Sequence, residues 1–85
     1  MSRDDIRLTE IQIATLRALA EACDFSPNAH PPEQSIVRRF PTNLRGDAST
    51  ALDQLSRMGL CRRHPTRGNT TWNINSEGLR LARQL

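Results

Sequence analysis

The sequence predicts a mainly helical α+β domain: a three-helix core, a two-stranded β-hairpin and a short C-terminal helix. Three observations carry this. The run Ala48 to Met58 has apolar residues at helical spacing and is stopped by Gly59. Residues 60–74 follow with strand-compatible segments around a Pro, Gly and Asn turn. A cap sequence, Asn75-Ser76, then opens a further amphipathic stretch. Eighty-five residues suffice for one modest core, so 1–85 is read as a single domain. Hydrophobic residues make up 36% and aromatics only 4%, which favours aliphatic helix packing over a sandwich.

Taken in order, Met1 to Arg7 is polar and expected to fray. Thr9-Glu-Ile-Gln12 forms a capping box, with Leu8 placed to staple onto Ile13. Ile13, Leu16, Ala20 and Cys23 recur at helical spacing, giving a first helix over about 10–23. Asp24 to Pro32 contains three prolines and is a loop, in which His30 is a solvent-exposed residue. Pro32 suits the first position of a second helix presenting Ile36, Val37 and Phe40, and Pro41 ends it. Asn43 or Asp47 can cap the third helix, which buries Leu44, Ala48, Leu52 and Leu55. Strands at 60–64 and 70–74 flank a turn of Pro65, Gly68 and Asn69, with Arg67 at the tip. Trp72 and Ile74 alternate onto one face, and Trp72 is read as core rather than as a stacking platform. The last helix carries Leu79, Ala82 and Leu85. The expected core is Ile13, Leu16, Ile36, Val37, Leu52, Leu55, Leu60, Trp72, Ile74 and Leu79.

Charge narrows the function classes. Net charge is +3, and the sequence pI is near 10.1, a basic balance typical of nucleic-acid-binding modules. Residues 1–30 hold three Arg against five acids, whereas 31–85 hold nine Arg against four acids. No acid lies between Asp53 and Glu77, a stretch containing Arg57, Arg62, Arg63 and Arg67. Every strongly basic residue is Arg, whose fork suits phosphate and guanine; a GC-rich coding bias is the preferred explanation for the absence of Lys. Cys23 and Cys61 are too few for a disulfide framework and are expected to be reduced and buried. Cys61-Arg-Arg-His64, with His30 as a third donor, has ligand-like spacing, but no paired cluster supports a metal and none is expected. No signal peptide or membrane-spanning run is read, so a cytoplasmic protein without membrane contact is expected. No nucleophile, base and orienter recur at workable spacing, and there is no glycine-rich phosphate loop; enzymatic activity and cofactors are not expected.

The pattern Leu52-x-x-Leu55-x-x-x-Gly59-Leu60, then Arg62-Arg63, Arg67 and Trp72-x-Ile74-Asn75-x-x-Gly78, resembles winged helix-turn-helix transcription regulators. It is similar in style to MarR-type repressors and to small archaeal and phage repressor-like winged helices. Ile-Asn-Ser-Glu-Gly is similar to the Leu-Thr-x-x-Gly that opens that family's next helix. The turn Phe40-Pro-Thr-Asn-Leu-Arg-Gly departs from the family's compact one, and the long C-terminal dimerisation helices are lacking. The resemblance implies sequence-specific double-stranded DNA binding, with the third helix in the major groove and the wing on backbone or minor groove. The residues it singles out are Arg38, Arg45, Ser49, Thr50, Gln54, Arg57, Arg63, Arg67 and Asn69. Gln54 would read adenine, Ser49 and Thr50 would touch base edges or phosphates, and Arg67 would meet the minor groove or its flanking phosphates. Arg62 and Arg63 alternate faces, and Arg63 is the one expected to face DNA. Asp53 is expected to pair with Arg57 at i,i+4 rather than meet a cytosine amine. A homodimer through the first and last helices is expected, because one such domain covers few base pairs. The alternative is a winged-helix protein-interaction module of transcription or replication machinery.

Overall fold

The computed structural model describes residues 7–85. The expectation of fraying for 1–7 falls outside them except at Arg7, which is exposed and non-helical. The elements are α1 (Glu10–Ala22), α2 (Glu33–Val37), a single 3-10 turn (Thr42–Leu44), α3 (Arg45–Arg57), β1 (Cys61–Thr66), β2 (Asn69–Ile74) and α4 (Ser76–Gln84). This is a small α+β fold with four helices and a two-stranded antiparallel sheet.

Local chemistry sets most boundaries. The capping box forms as expected: the Gln12 amide donates to Thr9 Oγ1 at 3.3 Å, and the Thr9 amide donates to Gln12 Oε1 at 2.9 Å. α3 ends where Gly59 takes φ 78, the left-handed conformation that stops a helix. Arg67 and Gly68 alone form the hairpin loop between the paired residues Thr66 and Asn69, with Gly68 at φ 88. Asn75 caps α4 by accepting from the Gly78 amide at 2.8 Å. Its side-chain amide also donates to the Gly59 carbonyl at 2.6 Å, so one residue joins the end of α3 to the start of α4.

Several expectations are corrected. Neither Asn43 nor Asp47 caps α3 through its side chain; the 3-10 turn feeds directly into the helix, with Leu44 as the half-buried N-cap. Pro32 is the N-cap of α2 rather than its first residue, and α2 ends at Val37 before reaching Phe40. The strands run closer to the tip than expected, taking in Pro65 and Asn69.

The core gathers Leu16, Leu19, Ile36, Leu52, Leu55, Leu60, Cys61, Trp72, Ile74 and Leu79, with residues from all four helices and both strands. Of the expected core, Ile13 and Val37 are only half-buried. A further strand-like segment completes the sheet. The Trp72 amide donates to the Pro31 carbonyl at 2.9 Å, and Pro32 bridges Thr71 in antiparallel sense. The chain just before α2 therefore covers the outer edge of β2, while β1 keeps an edge with no strand partner among the described residues.

Candidate nucleic-acid interface

Burial of Ala48, Ala51, Leu52 and Leu55 fixes which side of α3 meets the core. The opposite side carries Gly46, Thr50, Asp53 and Arg57 at spacings of four, three and four, all exposed. Asp47 and Gln54 flank this stripe on one side, and Arg45 and Ser49 on the other. Asp53 and Arg57 share the face without forming an ion pair, contrary to the expected i,i+4 pairing.

Both flanks of α3 are tethered. Ser49 Oγ donates to Glu33 Oε2 at 3.1 Å, and Glu33 Oε1 accepts from the buried Trp72 indole at 2.9 Å. One carboxylate thus connects α2, α3 and β2. On the other flank, Gln54 Oε1 accepts from Gln12 Nε2 of α1 at 2.8 Å. Gln54 was expected to offer its amide to a base edge; its carbonyl is instead engaged by α1, and Gln12 is itself buried. Ser49 is similarly occupied and half-buried. Thr50, exposed on the outward stripe, is the polar, uncharged side chain of this group with no hydrogen-bond partner among the described residues.

The other predicted residues divide by element. Arg38 lies exposed at the C-cap of α2, its guanidinium 3.5 Å from Gln34 Oε1. Arg45 opens α3 and turns back to donate to the Phe40 carbonyl at 3.2 Å. Arg57 closes α3. Cross-strand partners share a sheet face, so Arg63, opposite Trp72, lies on the face that β2 turns toward the core. Arg62, opposite Asn73, lies on the face toward the loop, where Asn73 donates to the Pro27 and Ala29 carbonyls. Arg67 occupies the hairpin tip. Asn69 lines a cleft of about 380 Å³ with Pro32, Glu33, Gln34, Thr66, Gly68 and Thr70, where the tip approaches the start of α2.

No family model and no curated protein matches this chain.

The arginines differ in how far the fold neutralises them. Arg39 pairs with Glu21 at 3.3 Å. Arg57, Arg62, Arg63 and Arg67 are exposed and have no carboxylate partner among the described residues. Glu33 is not among the residues expected from the sequence, where its signal is faint: an acid at the first turn of a helix ordinarily answers to the helix dipole.

The Cys61-Arg-Arg-His64 spacing does not converge on a metal. Residues three apart on a strand point to opposite faces, and the Cys61 thiol turns inward to the Leu52 carbonyl at 3.7 Å. His64 instead meets His30 edge-to-face, with ring centroids 4.8 Å apart. Among the described residues no three His, Cys, Asp or Glu side chains gather as a metal site. Burial pushes the Cys61 thiol up to about 12, with Cys23 and Asp53 adding to the effect, and burial raises Cys23 as well. Neither thiol is poised as a nucleophile. No helix among the described residues is long and apolar enough to cross a membrane.

Proposed function

We propose that the chain is a small winged helix-turn-helix transcription regulator that binds double-stranded DNA, with α3 entering the major groove and the β1–β2 hairpin acting as the wing. The observation carrying this reading is a run of exposed arginines, from the end of α3 to the hairpin tip, that have no carboxylate partner among the described residues: Arg57, Arg62, Arg63 and Arg67. Exposed guanidinium groups with no internal carboxylate gain most from a polyanion, because binding releases its condensed counterions. The order helix, bridged segment, helix, helix, hairpin, helix supports the same reading.

Asp47 and Asp53 sharpen it. Two carboxylates on the exposed side of α3 oppose resting that helix on phosphates. They favour insertion between the backbones, where Asp53 can accept from a cytosine amine and Thr50 can touch a base edge. A protein-interaction module would be expected to show an apolar patch on this face. Among the described residues the exposed large hydrophobic ones are Phe25 and Leu85, which lie outside α3 and the hairpin.

The test is a salt titration of affinity for a duplex that the chain selects from a randomised pool. Arg67→Ala should weaken binding to all duplexes alike and reduce the magnitude of the log-affinity versus log-salt slope by about 0.9. A chain that selects no duplex, or an Arg67→Ala variant with unchanged affinity and slope, would refute the reading.

A further inference from the structure

Three of the four glycines are fixed by the fold. Gly59 and Gly68 hold φ 78 and φ 88, which side chains rarely adopt. Gly78 packs so tightly that a Cβ there would stand 2.1 Å from the Leu60 carbonyl oxygen. Gly46 is different. Its φ is not positive, and a Cβ at this position would meet no heavy atom within 4 Å. It is the second residue of α3, where alanine would be the better helix former. Neither backbone conformation nor internal packing accounts for it.

Its place on the helix does. Gly46 heads the outward stripe that continues through Thr50, Asp53 and Arg57. Neighbouring side chains are drawn aside: Arg45 folds back to the Phe40 carbonyl, and Ser49 is held by Glu33. Between the folded-back Arg45 and the exposed Asp47 on its two flanks, Gly46 therefore presents bare backbone on the outward stripe at the first turn of α3.

We propose that Gly46 is a specificity-determining residue by its lack of a side chain: it marks the point where bound duplex DNA comes closest to the α3 backbone, in van der Waals contact with it. This inference rests on the DNA-binding reading above. A methyl group at that contact would hold α3 out of the groove and lengthen every base contact made further along the stripe. Glycine is the residue that permits such approach.

The experiment compares Gly46→Ala and Gly46→Leu with the wild-type chain on the duplex selected by the wild type. Gly46→Ala should melt about 2–5 °C higher, since it removes unfolded-state freedom at a compatible position. It should bind about tenfold more weakly, the loss expected when one good base contact is disturbed. Gly46→Leu should lose more, and neither should change the salt slope, because no charge is altered. If both variants bind as tightly as the wild type, the close-approach inference is wrong while the DNA-binding reading stands. A wild-type chain that selects no duplex overturns both.

Discussion

Replacing Gly78 by alanine sets two physical effects against each other. Gly78 lies in the first turn of α4, where helix propensity alone would make alanine more stable by up to about 1 kcal/mol. Packing predicts the opposite. The new Cβ would lie 2.1 Å from the Leu60 carbonyl oxygen and 2.8 Å from Ile74 Cγ1. The first neighbour is backbone and cannot rotate away, so α4 must retreat by roughly an ångström from the Leu60–Ile74 wall, which costs about 1–3 kcal/mol as overpacking. That retreat also breaks the 2.8 Å cap from the Gly78 amide to Asn75, worth about 1 kcal/mol more. Set against the propensity gain, the net loss of about 1–3 kcal/mol is a large share of the roughly 4–13 kcal/mol held by a domain of this size. At about 4–8 °C per kcal/mol, Gly78→Ala should melt about 4–24 °C below wild type. Far-UV circular dichroism during heating measures this, with Gly46→Ala as a control expected to move the other way. A Gly78→Ala protein melting within about 2 °C of wild type would show that the Leu60–Gly78 contact is not a constraint.

Gln54→Ala should lower stability by about 1–2 kcal/mol by orphaning the buried Gln12 amide, whereas Thr50→Ala should stay within about 0.5 kcal/mol. Equal losses in chemical denaturation would refute the role assigned to the Gln12–Gln54 bond. Because the folded Cys61 thiol titrates at about 12 against an ordinary 9.0, the unfolded chain gives up this proton first as pH rises. The contribution is intact below pH 9 and is lost toward pH 12, so stability should fall across that window. Cys61→Ala should flatten the fall; an unchanged alkaline profile would exclude Cys61 as its source.

What was legible in the sequence was local. The Thr9–Gln12 box, the Gly59 stop, the Asn75 cap and the Arg67 tip each depend on residues within one turn of each other. Helical spacing and strand alternation likewise placed Trp72, Ile74, Leu52 and Leu55 inside. The hidden part was long-range. Gln12–Gln54, Ser49–Glu33 and Trp72–Glu33 span 42, 16 and 39 residues, and periodicity says nothing about which polar side chains meet across helices. Two of the expected base readers, Gln54 and Ser49, proved to be tied to neighbouring elements for that reason. Pro65 escaped the usual exclusion of proline from strands for another. Trp72 sends its amide to Pro31 rather than to β1, so Pro65, two residues along from Arg63, falls where a strand N–H would point outward.

The outer edge of β1 carries a liability as well as a charge. With β2 covered by the segment at Pro31–Pro32, β1 is the side of the sheet on which a second chain's strand could dock. Pro65 withholds a donor there, and Arg62, Arg63 and Arg67 would set like charge against like in any pairing of two copies. The guanidinium groups proposed to attract a polyanion would therefore also keep identical hairpins apart. Neutralising them removes both properties at once, so a loss of DNA binding in a multiple arginine variant is interpretable only on material first shown by light scattering to be unaggregated.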